Sequence, residues 1–267
     1  MEVKLIDLYY KDIFKNINIQ IKENKIVAIM GKNGSGKTAF LNLLLGIDKD
    51  FDGEICIGKR KINRKSKLKS IKSIRQDISY LRQDYESDLF NMNILEDIKY
   101  RVPYLDFIKL DELLNIFGLE QEILEKCYLD LSSTEVKKIL LVKIFIEDSK
   151  IILLDDPTSG LDQKSIINLI KLLKRNKRNG KIIIITSTNS EFLIKISDEF
   201  IVLNGKKIYY EYNKYNLLSN INLLNTLNLN VPNIIKFKLT AYNRKKIKLV
   251  YRDNINDLIK DIYRNAK

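Results

Sequence analysis

Short apolar runs rich in β-branched residues punctuate the chain at Ile26 to Met30, Ile78 to Leu81, Ile151 to Leu154, Ile182 to Ile185 and Phe200 to Leu203. Runs of this length without polar alternation predict strands covered on both faces, as in a largely parallel sheet. Between them, apolar residues recur at helical spacing over Thr38 to Leu45, Val136 to Ile146 and Gln163 to Leu173. The last pattern closes at Asn179-Gly180, where glycine suits a helix C-terminus. Met1 to Tyr10 reads as a first strand. Strand and helix in alternation predict a doubly wound α/β core.

Two stretches break the alternation. From Asn93 to Asp148 the pattern is helical without strands, which predicts a helical insert with inner helices at Leu110 to Phe117 and Leu119 to Cys127. After Gly205 the composition turns to Asn, Lys and Tyr, with helical patterns at Leu217 to Leu227, Val231 to Leu239 and Asn254 to Arg264. Regularly spaced Leu and Ile there predict a packed appendage. The expected organisation is a principal domain over 1–205, with its helical part at about 93–148, and a small C-terminal domain over 206–267.

Composition narrows the class. A chain of 267 residues that is 45% hydrophobic and 30% charged belongs with folded globular proteins rather than disordered ones. No apolar run approaches the ~18 residues that a membrane-crossing helix needs. The N-terminus lacks the pattern of a secretory signal, and Cys56 and Cys127 have neither disulfide nor zinc spacing, so a cytoplasmic location is expected. Net charge is +13, yet only one stretch concentrates it: Lys59, Arg60, Lys61, Arg64, Lys65, Lys67, Lys69, Lys72 and Arg75. With few aromatics to stack bases, that stretch reads as a solvated or membrane-facing patch, and no nucleic acid partner is expected.

The chemistry is carried first by Gly31-Lys32-Asn33-Gly34-Ser35-Gly36-Lys37-Thr38, a full match to GxxxxGK followed by Ser or Thr. It stands between the strand at Ile26 and the helix at Thr38, the context the motif requires. Glycines there let backbone N–H groups turn inward around phosphate oxygens, and the helix N-terminus favours the same anion. Lys37 would neutralise the β and γ phosphates, and the Thr38 hydroxyl would ligate Mg²⁺. The apolar run Ile151 to Leu154 ends in Asp155, whose carboxylate would be a second ligand for Mg²⁺, directly or through water.

These residues resemble those of ABC transporter ATP-binding subunits, within them the energy-coupling factor or cobalt-type ATPases, over nearly the whole chain. Asp155-Asp156-Pro157-Thr158-Ser159-Gly160-Leu161-Asp162 is similar to the Walker B segment and D-loop. Ile78 to Phe90 resembles the subgroup's Q-loop with its acidic stretch ending in Leu-Phe, and Asn93 to Ile98 follows without a gap. The Val231-Pro232 region resembles the family's extra C-terminal domain. The resemblance implies a P-loop ATPase fold with an antiparallel N-terminal β part, a mostly parallel core sheet and a helical subdomain. It further implies ATP and Mg²⁺ as ligands, Gln83 as sensor of γ-phosphate and metal, and Tyr10, or else Tyr9, stacking on adenine. The implied partners are an integral membrane subunit and a second ATPase subunit, at the cytoplasmic face of the membrane.

Three positions depart from the family pattern. The signature segment LSGGQ stands here as Leu131-Ser132-Ser133-Thr134-Glu135. Ser132 retains its hydroxyl, whereas Ser133 and Thr134 add side chains where backbone and phosphate should approach, and Glu135 adds like charge. The catalytic glutamate is Asp156, whose shorter side chain withdraws the carboxylate by about 1 Å, a displacement that costs around 10²-fold in rate. With no histidine in the chain, Thr188 takes the switch position, able to hydrogen-bond a phosphate but without positive charge. In the family's head-to-tail dimer both composite sites would be affected, so the expectation is slow hydrolysis; the alternative is a non-hydrolysing regulatory subunit.

Overall fold

The computed structural model describes residues 1–84, 93–204, 207–211 and 214–219, with 260, 263 and 264. In chain order the elements are β1 (Glu2–Tyr10), β2 (Phe14–Lys22), β3 (Lys25–Gly31), α1 (Lys37–Leu44), β4 (Asp52–Ile57), β5 (Arg60–Ile62), α2 (Leu68–Arg75), β6 (Ile78–Leu81), α3 (Ile94–Arg101), α4 (Phe107–Phe117), α5 (Ser133–Ile146), β7 (Ile151–Asp155), α6 (Gln163–Arg178), β8 (Ile182–Thr186), α7 (Ser190–Ile196), β9 (Glu199–Asn204), β10 (Lys207–Glu211) and α8 (Lys214–Ser219).

The apolar runs form one sheet in the order β10-β9-β3-β8-β7-β6, parallel throughout except for β10, which returns antiparallel on β9. Every residue of β7 and β8 is buried, the outcome expected of Ile and Leu runs that show no alternation. Period-two geometry still sorts their side chains between two cores. Ile26, Ala28, Met30, Ile152 and Leu154 face the layer that contains residues of α5, α6 and α7, whereas Val27, Ile29, Ile151 and Leu153 face α1 and the N-terminal sheet. Each fully buried isoleucine in β8 contributes roughly 2 kcal/mol, so Ile184→Ala would cost about 2 to 5 kcal/mol once its cavity is included.

A second sheet, β2-β1-β4-β5, is wholly antiparallel. In β1, Val3, Leu5, Leu8 and Tyr10 point inward; the phase is reset by a bulge at Ile6-Asp7, where Asp7 adopts φ +45°.

The helical part departs from expectation in one place. Leu119 to Cys127 is no α-helix: it holds a 3-10 turn over Gln121–Glu125, followed by another over Tyr128–Asp130. Only Leu119 and Ile123 are buried there, and Cys127 is drawn into a bridge with Asn93, so the segment is too short and too tethered to propagate a helix. Its neighbours are conventionally capped. Asn93 accepts from the Glu96 N–H, Asp106 from those of Ile108 and Lys109, and α4 ends at Gly118 with φ +66°. A buried triad ties the part together: the Tyr128 hydroxyl and the Lys143 ammonium both donate to Asp97 Oδ2, joining α3, the second turn and α5.

β10 extends the sheet beyond Gly205. The expected helices at Val231 to Leu239 and Asn254 to Arg264 lie outside the described residues apart from isolated positions, as does the acidic stretch Tyr85 to Phe90. Of Leu217 to Leu227, only Leu217 to Ser219 is described, within α8. Among the described residues no helix is long and apolar enough to cross a membrane.

Candidate nucleotide-binding site

β3 ends at Gly31 in the middle of the parallel sheet, and two glycines of the loop to α1 leave no space for a side chain. A Cβ at Gly31 would lie 2.7 Å from the Leu203 carbonyl oxygen, and one at Gly36 would lie 2.7 Å from Ile13 Cγ2. Gly36 also adopts φ +98°, a conformation open to glycine. It precedes α1 without any side-chain cap, and no acidic residue occupies the first turn, so the opening N–H groups and the helix dipole are left for an outside anion. The Ser35 hydroxyl is buried and, among the described residues, has no hydrogen-bond partner. The Lys37 ammonium lies across the loop, donating to the carbonyls of Gly31 at 2.9 Å and Lys32 at 3.0 Å. Burial lowers its pKa, with Asp155 and Asp156 pulling the other way.

Parallel pairing of β7 with β8 sets Asp155 opposite Thr186. Asp155 is 2% exposed, and its two oxygens accept from Thr38 Oγ1 at 2.7 Å and from Thr186 Oγ1. One carboxylate and one hydroxyl meeting at a phosphate loop make an all-oxygen donor set. That suits Mg²⁺, which is commonly held by one or two carboxylates plus phosphates rather than by a protein cage.

Asp156 follows with φ +45°, its amide donating to Thr186. Its carboxylate accepts from Ser187 Oγ at 2.9 Å and Thr188 Oγ1 at 3.4 Å, while Ser187 also meets Thr158 Oγ1 at 3.0 Å. Asn33, Gly34, Gly36, Lys37, Thr38, Gln83, Asp155, Asp156 and Thr188 thus line one cleft of about 400 Å³.

Two expected residues stand apart. Ser132 caps α5 outside this cleft. Its hydroxyl donates to Glu135 Oε2 at 2.6 Å, its N–H donates to the same oxygen, and the Glu135 N–H returns to Ser132 Oγ: a reciprocal capping box. The Ser132 hydroxyl bond holds the Glu135 carboxyl below its usual pKa. Thr134 Oγ1 donates to the Gly160 carbonyl at 2.9 Å, and Lys138 pairs with Asp162 at 3.0 Å, so α5 and the segment after β7 are laced together.

Tyr10 requires correction as an adenine platform. It is 5% exposed, its ring is packed on Phe14 with the Lys11 ammonium 4.7 Å from its centroid, and its hydroxyl donates to Asp48 at 2.7 Å. Inward phase along β1 explains this, and the same phase turns Tyr9 outward with 44% exposure.

Lys137 was not singled out by sequence. It is 3% exposed, and burial lowers its pKa against the pull of Asp156 and Asp155. Its signal was a lysine at helical spacing with the apolar Leu140, Leu141 and Ile144.

A glycine-cradled loop after a parallel strand, with a buried carboxylate at the end of the second strand along, defines a P-loop nucleotide-binding domain. The ABC transporter family model matches residues 14–159, more than half of the chain, and the chain belongs to that family as one of its ATPases. It is 29% identical over 260 residues to an energy-coupling factor transporter ATP-binding protein of Mesoplasma florum, covering 94% of this chain and 81% of that protein. A protein of the same description from Mycoplasma capricolum is 28% identical over 237 residues, covering 86% and 82%. Among solved structures, CbiO1 of Clostridium perfringens, part of the ABC transporter complex CbiONQ, superposes with a TM-score of 0.69 at 24% identity, covering 88% of this chain and 97% of that one. A dimeric ATP-binding cassette bound to ADP and Pi in a post-hydrolysis state gives a TM-score of 0.67 at 25% identity, covering 78% and 98%.

Proposed function

We propose that this chain is the motor subunit of an energy-coupling factor-type transporter, coupling MgATP binding and slow hydrolysis to solute uptake. The observation that carries the reading is the meeting of Lys37, Thr38 and Asp155 at an uncapped helix start. Phosphate oxygens take over the contacts that Lys37 now makes to Gly31 and Lys32, and the N–H groups of Gly34 to Thr38 complete the cradle. Thr38 and Asp155, with Gln83, hold Mg²⁺, whose charge offsets that of the β and γ phosphates. Asp156 polarises the attacking water, and Thr188 steadies the γ-phosphate.

Ser132, outside its own chain's cleft, serves a nucleotide in a second ATPase subunit, as the resemblance of its segment to the family's signature implies. The integral membrane subunit docks in a groove of about 390 Å³ whose walls include Leu45, Ile47, Tyr80, Tyr100, Leu140 and Ile144. Ile47 and Tyr100 stand 51% and 78% exposed there, apolar surface that a helix from a partner would cover. The assembly sits at the cytoplasmic face of the membrane.

Titration with a fluorescent ATP analogue and magnesium tests the reading. Wild type is expected to bind and Lys37→Ala to lose at least about 100-fold in affinity; equal behaviour of the two overturns it. The Ser132–Glu135 box favours a second reading, a subunit that binds ATP without turning it over, because the signature hydroxyl is already engaged. Normal ATP affinity with no measurable turnover in the purified complex would select it.

A further inference from the structure

From Lys59 to Arg75 the chain carries nine basic residues and no acidic one. The surrounding acids are divided among only part of this set: Arg60 pairs with Asp77, Lys61 with Glu54, and Arg64 with Asp50 and Asp52. Arg75 is committed to the carbonyls of Leu45 and Gly46. Lys59, Lys65, Lys67, Lys69 and Lys72 are exposed, and their ammonium groups have no ion pair or hydrogen bond among the described residues. Leu68, 69% exposed, stands in their midst.

Local stability does not account for this arrangement. α2 begins with Lys67 at its cap position, without a side-chain cap and without an acid in its first turn, and Lys69 adds a further cation at the positive end of the helix dipole. Charges placed against the local rule point to an outside anion. The helix is seated by Ile71 and Ile74, leaving its opposite face bare, and its last residue, Arg75, forms part of the groove wall described above.

We infer that the outer face of α2 and the loop before it form a docking surface for anionic phospholipid headgroups, flanking the groove that receives the membrane subunit. The inference rests on the transporter reading for the direction in which the groove faces, and on charge for the occupant. Each lysine near an anionic leaflet adds about five-fold to binding, and a lone exposed leucine among cations suits the headgroup boundary. Base stacking has no platform here, since Lys59 to Arg75 contains no aromatic residue.

Vesicle flotation of the full chain tests this. The chain is expected to float with phosphatidylglycerol-containing vesicles, not with phosphatidylcholine alone, and to be released as salt rises. Lys65→Glu, Lys67→Glu, Lys69→Glu and Lys72→Glu together should weaken flotation by roughly 100-fold or more while MgATP binding is unchanged. The same charge change on α6, through Lys164→Glu, Lys171→Glu, Lys174→Glu and Arg178→Glu, should leave most of it. Equal loss in both sets, flotation indifferent to lipid charge, or retention on RNA without vesicle binding overturns the inference. Absence of MgATP binding alongside intact flotation would sink the motor reading instead and leave this surface standing.

Discussion

At the P-loop, polar groups are held by contacts that a ligand can replace: Lys37 rests on two backbone carbonyls, α1 starts without a cap, and the Ser35 hydroxyl has no partner among the described residues. At the start of α5 the opposite holds. Ser132 and Glu135 satisfy each other, Thr134 is bonded to Gly160, and a carboxylate covers the helix end. Both are helix N-termini on the same domain. One is open to phosphate, and the other carries its own anion. Binding nucleotide and closing upon it therefore place separate demands on this chain, with the first met more fully than the second.

Four variants break or sharpen the contrast, the largest effect first. Lys37→Ala should remove ATP binding by at least about 100-fold in the titration, showing that the open end is the one occupied. Joint replacement Asp156→Glu with Thr188→His should raise turnover by the purified complex roughly 10-fold or more, with little change in ATP affinity; an unchanged rate would place the limit elsewhere. Glu135→Gln keeps the capping geometry while removing the charge, so ATP-dependent dimerisation, followed by light scattering, should strengthen by about five-fold. Ser187→Ala should slow turnover by about three-fold through a less fixed Asp156, leaving ATP binding intact.

The pH dependence of the closed end follows from the lowered pKa of Glu135. The ionised box contributes stability above the ordinary value of 4.5, and that contribution is lost as pH falls through the lowered folded value. The melting-temperature advantage of wild type over Glu135→Ala should accordingly be present at neutral pH and fade in acid.

Local signals carried most of the fold and the heart of the site. β7, β8 and the loop from Gly31 to Thr38 are written in contiguous residues, so strand, turn and ligand chemistry could be read together. What escaped depends on contacts distant in sequence. The Tyr10 hydroxyl is bonded to Asp48, Cys127 is held by Asn93, and Lys137 gains its meaning only beside Asp156 and Asp155. The box at Ser132 was legible, since Ser-x-x-Glu before an apolar run is a helix-start pattern.

The Asp97, Tyr128 and Lys143 triad has a mechanical side. Charges sealed from solvent tolerate little misalignment, so sliding α3 past α5 would strand a carboxylate or an ammonium in an apolar interior. Displacing α5 would accordingly carry α3 and the turn at Tyr128 with it.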